Sequence, residues 1–210
     1  MTTTLAPIHT PLRLQTDAPA FTGMALILVL STAPIAAAMA LDTRLFQNEN
    51  IWIKPLKFQI ALAIYLITLA FFARYMPAPL TSRKWRAYAA VVCLAVTAEI
   101  LWVAGAAANG TASHFNQTTP IMAALYALMG VFAVTLTTPT LVMGLAILRI
   151  KTTPLHLSIA LGLILTFILT LAAAGTMASG TGHLIGTPTT GATLPILGWS
   201  REVGDLRAAH

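Results

Sequence analysis

The chain has 210 residues, of which 57% are hydrophobic and only 9% are charged. Its mean hydropathy is +0.80, whereas roughly a quarter of the residues are charged in ordinary soluble domains. This composition excludes a soluble globular domain and predicts an integral membrane protein. The formal net charge of +6 lies mostly in loops, without a basic amphipathic stripe, so it does not indicate a nucleic-acid partner.

Residues 1–20 are rich in threonine and proline, and we expect a disordered cytoplasmic leader there. Five apolar runs follow, each near the ~20 residues with which a helix crosses the hydrocarbon layer. They are Phe21–Leu41, Pro55–Tyr75, Trp85–Ala108, Pro120–Leu148 and Leu155–Met177. The sequence therefore predicts an all-α, polytopic membrane bundle of about five transmembrane helices over residues 21–178. Residues 179–210 are expected to form a glycine-rich extracytoplasmic or interfacial segment.

Two of the spans contain an internal proline. Pro34 and Pro139 predict kinks, and the threonines beside Pro139 can satisfy the backbone carbonyl that a proline leaves unbonded. The first span also admits a second interpretation, because Ala38-Met39-Ala40 resembles a signal-peptide cleavage site. The long, barely basic segment before it favours a retained span.

The distribution of lysine and arginine predicts the orientation. Short loops after spans two and four carry six basic residues and no acidic one: Arg74, Arg83, Lys84, Arg86, Arg149 and Lys151. By the positive-inside rule these loops face the cytoplasm. The predicted location is the inner (plasma) membrane, with the N-terminus cytoplasmic and the C-terminus extracytoplasmic. Trp52, Trp102 and Trp199 then fall at the outer interface, as an aromatic belt requires.

Glu99 lies inside the third apolar run. A carboxylate near the middle of a span costs about 2.5–3.5 kcal/mol on insertion scales, so it normally faces a partner or a water-filled cavity. Two interpretations remain open. Glu99 is either part of a structural pair or interhelical hydrogen bond, or it handles a proton or a ligand.

Lys57 is the predicted partner of Glu99. Because Pro55 suits a first helical turn and restricts Lys54 before it, span two should begin at Pro55, with Lys57 in its first turn. A cation there opposes the helix dipole. Lys57 either snorkels to the headgroups or faces inward and pairs with Glu99 or an anionic ligand.

Polar residues collect on the predicted outer side, and three of the five histidines are among them: His114, His183 and His210. Imidazole is the commonest metal ligand in proteins, so these three are candidate metal ligands, and His114 is also a candidate acid–base group. No pair has the spacing of a helical metal site or of a bis-histidine haem site. Solvated loop histidines are the alternative.

These motifs resemble a group of uncharacterised bacterial multi-pass membrane proteins. The matching stretches begin with Trp52-Ile53-Lys54-Pro55-Leu56-Lys57-Phe58, Glu99, Ser113-His114-Phe115-Asn116 and Gly182-His183. They continue with Leu194-Pro195-Ile196-Leu197-Gly198-Trp199-Ser200 and Gly204-Asp205-Leu206-Arg207 to His210. The resemblance implies no activity. Proteins of that group continue into further apolar spans with another histidine, so this chain is expected to be a truncated or naturally short form.

Three functional hypotheses follow. The first is a membrane-embedded redox, metal-binding or haem-binding protein, in which Lys57 and Glu99 tune His114, His183 and His210. The second is a proton-coupled small-solute transporter with Glu99 as the titrating carboxyl. The third is an accessory subunit that docks a partner membrane subunit or a second copy of itself. The sequence leaves open whether the protein is an enzyme.

Overall fold

The computed structural model describes residues 13–46, 49–114, 116, 118–150 and 153–178. Its five long helices are α2 (Pro19–Leu41), α3 (Ile53–Phe72), α4 (Arg83–Ala108), α5 (Pro120–Leu148) and α6 (Pro154–Ala178). All five are long and apolar enough to cross a membrane. The predicted all-α bundle of about five spans is therefore confirmed. The segment 179–210 lies outside the described residues.

Part of the predicted leader is helical. A short helix α1 (Leu14–Asp17) precedes α2, which begins with Pro19 in its first turn, where a missing amide hydrogen costs no helical bond. The backbone amide of Leu80 donates to the Asp17 carbonyl at 2.9 Å and ties this segment to the loop before α4. Disorder was predicted for residues 1–20, but residues 13–20 are ordered, because these bonds fix them in α1 and at the start of α2.

Side chains cap the starts of α4 and α5. The Ser82 hydroxyl accepts from the Trp85 amide at 3.4 Å, and the Thr119 hydroxyl accepts from the Met122 amide at 3.2 Å. These caps satisfy amides that have no partner within their own helix. The helix α5 keeps the predicted bounds, whereas α4 begins two residues before the predicted Trp85.

Successive helices pack side by side, with α4 also against α2, so the bundle has two distinct ends. At the basic end, α3 ends, α4 begins and α5 ends, near Arg74, Arg83, Lys84, Arg86 and Arg149. At the polar end, α2 ends, α3 begins, α4 ends and α5 begins. The interior includes Leu66, Val92, Val96 and Met143, all fully buried. Long aliphatic side chains such as Leu30, Ile64, Leu94 and Leu169 are exposed on the outer faces, as lipid contact requires.

A minimal β-hairpin follows α2 at the polar end, formed by β1 (Leu45–Phe46) and β2 (Glu49–Asn50). The Asn50 amide group donates to the Asp42 carbonyl at 2.7 Å. The Asp42 carboxylate accepts from Arg44 at 2.7 Å and from the Trp52 indole at 2.9 Å. These donors, Arg44 first, hold the pKa of Asp42 well below its usual range. Arg44 also donates to the Ala108 carbonyl at the end of α4, so one guanidinium joins two helix ends.

The helix α5 continues through Pro139 because neighbouring hydroxyls replace lost backbone bonding. Pro139 leaves the Thr135 carbonyl without its usual amide, and the Thr138 hydroxyl donates to that carbonyl at 2.8 Å. Since this uses the single Thr138 hydrogen, Tyr88 is the donor in the 2.6 Å contact between the two hydroxyls. Tyr65 donates to the Leu136 carbonyl at 2.8 Å. The predicted role of the threonines is confirmed. Tyr65 of α3 and Tyr88 of α4 each donate a hydrogen bond to the same turn of α5.

Candidate functional site

Glu99 lies in the interior of the bundle, on the buried face of α4. Its side chain is only 3% exposed, and one carboxyl oxygen, Oε1, has no hydrogen-bond partner among the described residues. Counted along the helix, it lies about 14 Å from Ala108 at the polar end. A buried polar atom without a partner is uncommon in proteins and calls for an explanation. Glu99 is thus the centre of the candidate site.

Gln59 of α3 is a second buried polar side chain in the apolar interior. It is 2% exposed, its amide nitrogen donates to the Ser31 hydroxyl of α2 at 3.2 Å, and its Oε1 has no partner among the residues described. It lies about 9 Å from the start of α3, in the polar half of the bundle as Glu99 does. Sequence reasoning missed Gln59, although an amide four residues after Pro55 on the same helical face was a usable signal.

The lysine that faces Glu99 is Lys54, not the predicted Lys57. The charges of Lys54 and Glu99 interact, although their side chains form no ion pair within 4 Å. Lys57 instead pairs with Glu49, with its ammonium 3.7 Å from the carboxylate and its side chain 52% exposed. The predicted pairing of Lys57 with Glu99 is therefore wrong.

The register of α3 explains this exchange of lysines. The helix begins at Ile53, two residues before the predicted start. A proline in the first turn costs no hydrogen bond, since the first four amides lack helical partners anyway. Pro55 and Gln59 lie on the buried face. Lys57 is two residues from each of them, which places it on the opposite, exposed side of a helix with 3.6 residues per turn.

A glycine turn at the end of α4 directs the chain back toward the bundle. Gly110 has φ of +63°, a left-handed conformation that glycine adopts without steric cost. Its amide donates to the Ala107 carbonyl at 2.8 Å, and the Thr111 amide donates to the Ala106 carbonyl at 3.0 Å. This pair of bonds is the Schellman motif, and it sets the path of the segment that carries His114.

Polar side chains hold residues 111–114, 116 and 118 in place. Asn116, 1% exposed, donates to the Thr111 hydroxyl and the Ala112 carbonyl at 3.0 and 3.1 Å, and its oxygen accepts from the Thr118 hydroxyl at 2.7 Å. The Trp102 indole donates to the Ser113 carbonyl at 2.7 Å. Asn116 thereby has a structural role, and the loop presents His114 in a fixed position.

His114 lies among aromatic rings rather than in solvent. Its ring centroid is 5.7 Å from that of Phe58 and 6.0 Å from that of Tyr126, and Nδ1 is 3.0 Å from the Ser113 hydroxyl. Burial, and secondarily the positive charge of Lys54, lower the pKa of His114 to about 3. The imidazole is therefore neutral at physiological pH.

The three predicted metal ligands are not brought together in the part of the chain that is described. Among those residues, no group of three or more histidine, cysteine, aspartate or glutamate side chains could hold a metal ion. His183 and His210 lie outside the described ranges, so the triad with His114 stays a prediction. What the structure does bring together at the polar half of the bundle is Lys54, Glu99 and His114.

These helices and this polar interior define an integral membrane protein of the multi-pass class. No protein-family model matches the chain, and no curated protein or solved structure matches it either. The function is therefore argued from the site alone.

Proposed function

We propose that Glu99 binds and releases a proton inside the membrane, and that the protein is a proton-coupled transporter of a small solute. The observation that carries this proposal is the buried carboxyl oxygen of Glu99 without a hydrogen-bond partner among the described residues. Carboxylates inside membrane spans mark ion pathways and proton relays in pumps and transporters. A purely structural carboxyl would normally have both oxygens bonded, since unmade buried bonds are costly.

The neighbours of Glu99 support proton exchange from the polar end. Lys54 supplies a positive charge that interacts with Glu99 and also with His114. A protonated Glu99 needs an acceptor for its hydrogen, and we propose the oxygen of Gln59, which is buried in the same half of the bundle and has no donor in the described structure. When the proton leaves, Lys54 compensates the remaining charge. The same surroundings thus support both protonation states.

Proton flux and infrared spectroscopy test this proposal together. In proteoliposomes with an enclosed pH-sensitive dye and a mixture of sugars, amino acids and carboxylic acids outside, a potassium–valinomycin potential should drive proton uptake by the wild type and not by Glu99→Gln. Difference spectra between acid and alkaline pH should contain a carboxyl C=O band that disappears in Glu99→Gln. Glu49→Gln is the matched control, because Glu49 pairs with Lys57 at the exposed surface. A Glu99→Gln variant with undiminished flux and an unchanged carboxyl band would contradict the proposal.

A second candidate function, metal or haem binding, is favoured by one observation at His114. Metal ions bind the neutral form of imidazole, and the low pKa of about 3 keeps His114 in that form. His183 and His210 would complete the site. Metal analysis and an absorption spectrum of the purified protein test this. Stoichiometric metal or a haem Soret band that is lost in His114→Gln would favour it over the transport proposal.

We further propose that the polar end faces away from the cytoplasm, in the inner membrane of a bacterial cell, as in the group that the sequence resembles. The basic end carries Arg74, Arg83, Lys84, Arg86 and Arg149, which supports a cytoplasmic location. The third hypothesis, an accessory subunit or homo-oligomer, stays a prediction, because exposed aliphatic side chains such as Leu26, Ile27 and Leu30 on α2 are what contact with lipid already requires.

A further inference from the structure

A groove of about 400 Å³ lies between α3, α5 and α6, away from Glu99. Its volume falls within the ~300–1,000 Å³ that is usual for small-molecule sites. Its walls are leucine, isoleucine and phenylalanine side chains together with five hydroxyl-bearing residues. The latter are Tyr65, Thr68, Thr140, Ser158 and Thr166.

The hydroxyls that line the groove have no hydrogen left to donate. Each of the five donates to a helix carbonyl at 2.7–2.9 Å, Tyr65 across to Leu136 and the other four within their own helices. A hydroxyl has a single hydrogen, so an occupant with hydrogen-bond acceptors would leave them unsatisfied inside the membrane, at considerable cost. The groove therefore suits a hydrocarbon chain.

At the basic end, the lining residue Phe72 connects the groove to Arg74 through the rings of Phe71 and Tyr75. The lining residue Phe72 contacts the rings of Phe71 and Tyr75, with centroids 5.4 and 6.3 Å apart. The Arg74 guanidinium carbon lies 4.1 Å from the Phe71 ring centre and 5.0 Å from that of Tyr75. Its Nε is buried without an acceptor, and no carboxylate lies within 4 Å of it in the described structure. Arg74 is thus a cation that packs against two aromatic rings and has no carboxylate partner among the described residues.

We propose that this groove and Arg74 together bind an anionic phospholipid from the bilayer. One acyl chain occupies the groove between α3 and α6, and the headgroup phosphate accepts from the Arg74 guanidinium. Basic pockets between transmembrane helices bind anionic headgroups in this way, and a guanidinium matches the geometry of a phosphate. The charge of Arg74 selects an anionic lipid over a neutral one, whereas the groove sets the position of the chain.

Gly162 provides a sharp test of the acyl-chain position. It lines the groove, and a Cβ added there would meet no atom within 4 Å, so Gly162→Phe fills the groove with a side chain. Arg74→Gln removes the headgroup contact. The matched controls are Gly130→Phe, an equally open position on α5 outside the groove, and Arg83→Gln, an exposed arginine at the same end.

The measurement is lipid retention by native mass spectrometry, from nanodiscs of phosphatidylcholine and phosphatidylglycerol in equal amounts. We expect wild type and both controls to retain phosphatidylglycerol preferentially. In Gly162→Phe and in Arg74→Gln, the retention of phosphatidylglycerol should fall to that of phosphatidylcholine. Loss in Gly162→Phe alone would overturn the role of Arg74 as the headgroup contact, and loss in Arg74→Gln alone would overturn the position of the acyl chain in the groove. An unchanged preference in both variants would overturn the site altogether.

A second measurement covers the case in which a variant fails to fold. A phosphatidylglycerol analogue with a photoreactive group midway along its acyl chain is cross-linked to wild-type protein, and the modified peptides are mapped. We expect adducts on α3 and α6 at groove residues such as Thr68 and Thr166. Adducts spread over the exposed face of α2, without enrichment in the groove, would overturn the proposal.

Discussion

At the scale of single residues, His114 links the fold of the polar end to its chemistry. The imidazole is buried beside the rings of Phe58 and Tyr126 and lies within the field of Lys54. Burial, and secondarily the charge of Lys54, penalise the protonated form. An imidazole that stays neutral can accept a hydrogen bond or bind a metal, and it adds no second positive charge beside Lys54 at neutral pH.

The depressed pKa of His114 predicts loss of stability in acid. The unfolded chain binds a proton near pH 6.5, whereas the folded pKa is about 3, so stability falls as pH drops from about 6.5 to 3. In His114→Gln that part of the dependence should disappear. Melting temperatures in detergent across this window measure the effect. His156→Gln, at the other end of the bundle, controls for removal of an imidazole, and a His114→Gln profile as steep as the wild-type one would contradict the prediction.

The revised lysine assignment predicts which charges are coupled. Lys54→Met and Glu99→Gln should be non-additive in free energy of unfolding, with a coupling of about 0.5–3 kcal/mol, as is usual for interacting residues. Lys57→Met combined with Glu99→Gln should be additive, because Lys57 pairs with Glu49. Reversible unfolding in mixed detergent provides both double-mutant cycles. Coupling of Glu99 to Lys57 and not to Lys54 would restore the pairing that the sequence suggested.

At the scale of helices, α6 depends on α5 for its packing. Gly144 of α5 lies against α6, where an added Cβ would stand 2.8 Å from Ile164 and 2.9 Å from the Ala160 carbonyl oxygen. Small residues allow such close approach between membrane helices. Because one of these atoms belongs to backbone, a side chain at position 144 can be accommodated only if the helices separate.

Gly144→Ala should therefore destabilise the α5–α6 pair by about 1–3 kcal/mol, the usual cost of overpacking. Gly130→Ala in the same helix is the matched control. An added Cβ meets nothing there, and alanine is the better helix former by up to about 1 kcal/mol. Thermal unfolding of both variants separates packing from helix propensity. Equal effects at positions 130 and 144 would mean that the close approach contributes nothing.

The helices were predictable from the sequence, whereas the sequence did not show which individual side chains point into the bundle. Apolar runs, Pro120 and the Thr119 cap are local signals, and the bounds of α5 follow from them. Glu99 also stood out, because a charge inside an apolar run is visible without a structure. The choice between Lys54 and Lys57 depended on where α3 begins, and a shift of two residues turns a side chain by about 200°. The partners of His114 depend on contacts between helices, which no local pattern encodes.

At the scale of the whole molecule, the two ends of the bundle differ in chemistry. The polar end has paired charges, with Asp42 bound to Arg44 and Glu49 to Lys57. It also contains Lys54 and His114, and the Glu99 oxygen that has no partner among the described residues lies in the same half of the bundle. The basic end has Arg74 without a carboxylate among the residues described, beside the groove. The proposed proton site lies in the polar half of the bundle, and the proposed anionic-lipid site lies near the basic end.

The division also predicts the orientation, with the basic end in the cytoplasm. In a Cys93→Ala background, Thr43→Cys at the polar end and Thr81→Cys at the basic end place single thiols at exposed positions, for which the structure shows no side-chain hydrogen bond. A membrane-impermeant maleimide should label Thr43→Cys in intact spheroplasts, whereas Thr81→Cys should react only after permeabilisation. As a control, both variants are labelled after permeabilisation, and labelling of both shows that each thiol can react with the maleimide. Labelling of Thr81→Cys from outside would invert the orientation, place the anionic-lipid site in the outer leaflet, and open the route to Glu99 toward the cytoplasm.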